Sequence, residues 1–349
     1  MNKKMLLLVL LCSVSFFALQ AQYNFVVQNG SASVYNTLQE AYDNTSAGDT
    51  IYLPGGSFNF PSVDKPLVWI GVGYHPDSTA ATYFTRINNP VNFSGNCDNT
   101  YLTGMHFMSN VTFGTSGQDV TDVTIFRCRI SGSLTLKYNN TVEVLLNDKV
   151  SECIIDGSID AGMGSNVIIE KTILKGTLGH FRNSYMNHNI FTYGARNSGS
   201  GYSFLLSYCE NCQVKNSVIN YYSYVNWRAD VYGSINNNFL NNIFAGNITF
   251  PDGTNTGSYN ITGVDLSTVF ENIDGNFQDF SYLHNFHLKA GSPAAAAGMN
   301  GADIGIYGHT VPFKDGGLPV TPHIRSVEVN DETTNGLLPV SVSVGAQEN

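Results

Sequence analysis

The chain has 349 residues, only 13% of them charged and 12% aromatic, with a net charge of −10 at pH 7. Without the two lysines of the leader described next, the balance is −12, so no basic patch of the kind nucleic acid requires can be assembled. Sparse charge with abundant Asn, Ser, Thr, Gly and Tyr is an extracellular, β-rich composition, and the length suits one large all-β unit.

Residues Met1 to Ala21 open on Lys3 and Lys4, run through an apolar stretch from Met5 to Leu11 and end on small residues. This is a secretory signal peptide, too short for a membrane span, and implies a secreted or cell-surface protein. Leu11 before Cys12 is not small, which argues against lipid attachment. Beyond the leader, Cys97, Cys128, Cys153, Cys209 and Cys212 remain, an odd number that cannot pair fully. Cys209-Glu-Asn-Cys212 lacks a second pair or a histidine at zinc spacing, so no metal site is read there.

After the leader, Tyr23 to Gln28 alternate as a first strand, and Val34, Leu38, Ala41 and Tyr42 share one face of a short helix. A helix there would close the open mouth of a coil and cover its first unpaired edge. A turn and a strand follow over Ala47 to Phe58.

From Leu102 to Ile248 the chain repeats itself. Each copy has a small or polar residue, then two positions later a large apolar anchor, a bend often containing Gly, and a second apolar residue four positions after the anchor. The anchors Phe107, Ile130, Ile155, Leu174, Phe191, Ile219 and Phe244 lie 23, 25, 19, 17, 28 and 25 residues apart. Within each copy apolar and polar residues alternate with strand periodicity. Repeats of this size with short strands and uneven spacing define a solenoid whose loops vary in length. The predicted fold is therefore all-β: a right-handed parallel β-helix with an N-terminal α-helical cap, spanning residues 22–310. Coils roughly 4.8 Å apart would stack the anchors inside, Cys128 over Cys153, with Asn189 and Asn242 recurring in that same slot.

Three further stretches carry a resemblance: Gly48-Asp-Thr-Ile-Tyr-Leu-Pro-Gly55 with Phe58 after the helix, Leu67 to Thr79, and Phe286 to Gly298 with Asp303-Ile-Gly-Ile-Tyr-Gly308. The first two resemble the opening of right-handed β-helix proteins of the pectate-lyase-like superfamily. The third is similar to the closing coil of secreted bacterial members. The matching residues are structural, so the resemblance implies fold and export rather than a particular chemistry. Beyond Gly308, residues 311–322 read as a Pro- and Gly-rich linker, and residues 323–349 as a short β appendage in which His323 to Val329 and Leu337 to Val344 can pair.

The β-helix polysaccharide lyases that this fold resembles abstract a proton with Lys or Arg near calcium-binding carboxylates outside the coil. Here the position after the anchor runs Ser131, Asp156, Lys175, Thr192, and four positions later the run is Thr135, Asp160, Gly179, Arg196. Asp156, Asp160, Lys175 and Arg196 are thus the candidate catalytic cluster, with calcium as the cofactor only if the protein is such a lyase. The plainer alternative is an exposed Asp156–Lys175 ion pair worth under about 1 kcal/mol. The eight histidines show no regular metal spacing.

The other concentration is aromatic: Tyr221, Tyr222, Tyr224, Trp227, Arg228 and Tyr232, preceded by Tyr185, Tyr193, Tyr202 and Tyr208. Exposed rings with polar edges suit the C–H faces of sugars, although such rings also pack between a loop and a coil. The expected function is recognition of a glycan or other cell-surface polymer. A polysaccharide lyase or glycoside hydrolase, and a structural or adhesive surface protein, are the alternatives.

Overall fold

The computed structural model describes residues 23–139, 141–192, 205–220, 231–246, 254–273, 277–333 and 335–346. Among them the strands form three long, essentially parallel sheets of twelve, nine and seven strands. The path is regular: Lys149–Ser151 joins the twelve-stranded sheet, Ile154–Ile155 the nine-stranded and Ile159–Asp160 the seven-stranded sheet, and the next circuit repeats this with Ile168–Glu170, Ile173–Leu174 and Leu178–Gly179. Each circuit pairs with the one before in parallel register, the arrangement of a solenoid-like β-helix.

All seven anchors stack. Phe107, Ile130, Ile155, Leu174, Phe191, Ile219 and Phe244 are successive register partners in the nine-stranded sheet and are buried. Their partners four residues on, Val111, Leu134, Ile159 and Leu178, stack likewise in the seven-stranded sheet, and Leu206 continues that column. One apolar cluster fills the interior, with Trp69, Phe60, Phe93 and Phe107 meeting near its first coils.

One left-handed turn recurs from circuit to circuit. Between the twelve- and nine-stranded sheets each coil spends one residue in the left-handed region: Gly104, Arg127, Glu152, Lys171, His188, Asn216 and Asn241, all with φ between 49° and 70°. The residue after it carries a polar ladder. Cys153 N–H donates to Thr172 Oγ1 (3.3 Å), Thr172 N–H to Asn189 Oδ1 (2.9 Å), Asn189 N–H to Ser217 Oγ (3.1 Å) and Ser217 N–H to Asn242 Oδ1 (3.0 Å). These side chains satisfy buried turn amides that no strand pairs.

Among the described residues the expected N-terminal helical cap is not shown, only one short helix. Strand β1 (Phe25–Gln28) and strand β2 (Ala32–Tyr35) form an antiparallel hairpin that ends the twelve-stranded sheet, followed by helix α1 (Leu38–Asp43), six residues long. Val34 lies in β2 and is 60% exposed, so it does not share the helix face. Leu38, Ala41 and Tyr42 are buried as expected and join the coil interior. The helix ends at Asn44, whose backbone N–H and side-chain Nδ2 both donate to the Glu40 carbonyl.

Residues 264–319 do not add a coil. Phe270–Asn272 and Asn285–Leu288 pair antiparallel outside the three sheets. Phe270, Phe286, Ile304, Ile306 and Phe313 form a second core with Ile154, Ile173, Ile190, Val218 and Ile243, the residues just before the anchors, which face outward from the nine-stranded sheet. The chain thus doubles back over that sheet. Ala297 accepts from Asn241 Nδ2 (3.1 Å), Met299 N–H donates to Asn216 Oδ1 (2.8 Å), Gly305 O meets His188 Nδ1 (3.0 Å), and Leu318 O accepts from Arg127 Nη1 (3.2 Å). The strap is fastened to the left-handed turn residues, one coil after another. Beyond it His323–Val329 and Val340–Gly345 pair as an antiparallel hairpin. No helix of the described residues is long and apolar enough to cross a membrane.

Candidate functional site

The outer face of the seven-stranded sheet carries a column of polar and aromatic side chains. Thr112, Thr135, Asp160, Gly179 and Ser207 are successive register partners, with Tyr232 next in the column. Each follows an inward apolar residue, so strand alternation turns it outward. Asp160 Oδ1 accepts from the Gly162 N–H (2.7 Å) and Oδ2 lies 3.0 Å from His180 Nδ1. Gly179 leaves room for this pair: a methyl there would stand 3.1 Å from Asp160 Oδ2.

His180 leads to an aromatic step. Its ring stacks on Tyr208 with centroids 5.4 Å apart and planes within 8°, and Tyr208 meets Tyr232 edge-on at 5.3 Å. A hydrogen bond with Tyr232 raises the Tyr208 pKa, which keeps the Tyr208 phenol neutral. The two tyrosines are 46% and 50% exposed. Tyr208 is held by its backbone, whose carbonyl accepts from Arg182 Nη1 (2.9 Å), while Arg182 Nε pairs with Glu210 at 3.3 Å. Gly233 is needed beside it, because a Cβ there would come within 2.7 Å of the Tyr208 ring. Next to Asp160 a pocket of about 330 Å³ is lined by Thr112, Thr135, Lys137, Tyr138, Asp160 and Gly162. Lys137 is buried, its ammonium 3.7 Å from Asp119 and hydrogen-bonded to the Asn139 carbonyl.

The three described candidate catalytic residues each take a different ion-pair partner. Asp156 and Lys175 follow successive strands of the nine-stranded sheet, yet Asp156 pairs with Arg129 (3.0 Å) and Lys175 pairs with Asp279 of the returning segment. Asp160 belongs to the seven-stranded sheet and takes His180 as its partner. Arg196 lies outside the described residues, and the slot expected for it, next to Gly179, is occupied by Ser207. The insert after Phe191 shifts the register, which equal spacing could not anticipate. Tyr221, Tyr222, Tyr224, Trp227 and Arg228 also lie outside the described residues, in the stretch of chain that leads into Val231 and Tyr232.

The Asp160–His180 contact escaped sequence reading. Its signal was present, since His180 follows the Gly179 that sits beside Asp160, but no periodic rule singles out a residue beyond the strand end.

Among the described residues no group of three His, Cys, Asp or Glu side chains converges as a metal site. The five described cysteines are free and buried. Burial pushes the Cys128 thiol up to about 12 and Cys212 up to about 11, which leaves them protonated and poorly nucleophilic at neutral pH.

Comparison with family models, curated proteins and solved structures gives no match.

Proposed function

We propose that the protein is an exported, right-handed parallel β-helix, akin to the pectate-lyase-like superfamily, that binds glycan at the cell surface or outside the cell. The observation that carries this reading is the exposed Tyr208–Tyr232 step beside the open pocket at Asp160. Flat apolar rings next to carboxylate, imidazole and hydroxyl groups match a sugar, which offers C–H faces and hydroxyl edges. The aromatic stretch from Tyr221 to Arg228 precedes Tyr232 directly in the chain and extends the same chemistry in sequence. The apolar leader over residues 1–21 supports export.

Gel retardation in neutral and acidic polysaccharides tests this. Retardation of the wild type in at least one glycan, abolished by Tyr208→Ala with Tyr232→Ala and weakened by Trp227→Ala, supports the proposal. Wild-type mobility unchanged in every glycan removes it.

One observation favours a second reading, an extracellular polysaccharide lyase or glycoside hydrolase. The Asp160 carboxylate orients His180, and a carboxylate-backed imidazole beside a pocket is a serviceable general base. Asp156, Lys175 and Arg196 remain the other candidate set for such chemistry. Absorbance from unsaturated uronate ends, with and without calcium, and reducing-end release separate this reading from binding alone.

A further inference from the structure

A second pocket, of about 360 Å³, lies between the outer face of the nine-stranded sheet and the returning segment. That is within the range of pockets that hold small ligands, roughly 300–1,000 Å³. Ile154 and Ile173 close its floor but are themselves 2% exposed, so a ligand meets the walls instead. The half-buried rings of Phe280, Tyr282 and Tyr307 supply apolar wall, and the exposed Asp77 and Asp315 supply charge.

That charge is one-sided. Two carboxylates line the pocket, and among the described residues no lysine or arginine does. Asp77 enters no salt bridge among the described residues. Asp315 accepts from the Tyr307 hydroxyl, a donor that carries no charge. Burial holds the His75 imidazole below its usual pKa, against the pull of Asp77 and Asp315, so this wall residue adds no positive charge at neutral pH. Arg129, behind the rings, is already paired with Asp156 at 3.0 Å. A cleft lined by one sign of charge with apolar walls focuses its field and gathers the opposite ion.

The rings decide where on the ligand the charge sits. The Arg129 guanidinium lies 5.2 Å from the Phe280 centroid and 5.1 Å from that of Tyr282, and His287 stacks on Tyr307 at 3.9 Å. These contacts cover one face of each ring. The carboxylates are therefore the stronger seat for a positive head, and the remaining ring surface suits hydrocarbon.

We propose that this pocket binds a primary alkylammonium ion, its N–H groups donating to Asp77 and Asp315 and its stem lying along Phe280, Tyr282 and Tyr307. An ammonium head carries donors only, which carboxylates accept, and its stem covers apolar surface as that of a lysine does. The site uses none of the residues of the Asp160–Tyr232 flank, so it stands or falls independently of the glycan reading.

Ligand-observed NMR titration of the full chain at neutral pH tests it, with n-butylammonium as the probe and n-butanol, butyrate and tetramethylammonium as controls. The expected result is binding of n-butylammonium at least about fivefold tighter than each control, weakened roughly tenfold or more by Asp77→Asn with Asp315→Asn. Asn keeps an acceptor for the Tyr307 hydroxyl, and matching thermal melts confirm that the variant folds. Glu328→Gln with Glu332→Gln, which removes the same charge from the terminal hairpin, leaves binding unchanged. No saturable binding of n-butylammonium, equal binding of any control, or binding that survives Asp77→Asn with Asp315→Asn overturns the proposal. An equal loss in the hairpin variant does so too, because it reports only the net charge of the chain.

Discussion

Arg127 Nε lies 2.8 Å from Glu152 Oε2, one coil away, and both side chains are fully buried. Lys171, one coil further, reaches the other oxygen, Oε1, at 2.7 Å. All three sit in left-handed turns beneath the strap, where the Lys314 N–H also donates to Glu152 (3.3 Å). One carboxylate thus compensates two buried cations. Glu152→Gln removes the one carboxylate paired with both and should cost about 3–5 kcal/mol. The urea midpoint measures the loss, and Lys171→Met in the Glu152→Gln background should recover part of it.

His188 gives the strap a pH dependence. Its Nδ1 is bonded to Gly305 O, and burial lowers its pKa from 6.5 to about 4. Between those values the unfolded chain binds a proton that the folded chain refuses, so stability falls as pH drops from 6.5 to about 4 and levels off below. His106, lowered to about 3 by burial and by Arg129 and Arg86, acts in the same direction. The His188 contribution is on the order of 3 kcal/mol at pH 4. Melting temperature against pH should slope less for His188→Gln than for the wild type over that window.

Asp148 follows the left-handed Asn147 in the turn that leads into the twelve-stranded sheet, as Asn237 follows the left-handed Asn236. Its Oδ1 accepts from the Val123 N–H at 2.8 Å, as Asn237 Oδ1 accepts from Cys212 N–H at 2.9 Å, but its Oδ2 is buried without a hydrogen-bond partner. Burial raises its pKa well above the ordinary carboxylate value. The stability it contributes is present below that ordinary value and is lost as pH rises toward the folded pKa. Asp148→Asn should therefore raise the melting temperature at pH 7, by an amount equivalent to about 1–3 kcal/mol. The gain should shrink toward pH 4.

Truncating an anchor opens a cavity between two stacked neighbours. Ile155 lies between Ile130 and Leu174, so Ile155→Ala should cost about 2–5 kcal/mol in chemical denaturation. Val34→Ala, on the exposed hairpin strand, should cost less than about 0.5 kcal/mol.

Residues whose identity reports their environment were readable in the sequence. Phe107 to Phe244 had to be apolar to fill the coil, and the constant four-residue step to Val111, Leu134, Ile159 and Leu178 fixed the second sheet with them. The Asn189 and Asn242 slot was visible for the same reason, as a polar side chain recurring beside an anchor. Arg127, Glu152, Lys171 and His188 were not readable as a set. They share a backbone conformation rather than a chemistry, and their partners lie far along the chain at Gly305 to Leu318. Phe286 and Ile304 alternate as a coil strand would, so sequence alone cannot show that they cover the nine-stranded sheet from outside. At the candidate site, Tyr208 and Tyr232 stood out by composition. Arg196 lies outside the described residues, and the insert after Phe191 makes Ser207 the register partner of Gly179.

The most direct measurement is calorimetric titration of a neutral polysaccharide that retards the wild type, compared with the Tyr208→Ala, Tyr232→Ala double variant. Losing two stacking rings should weaken Kd tenfold or more while the melting temperature stays within a few degrees. An unchanged Kd in a folded double variant would contradict the assignment of this flank as the glycan site.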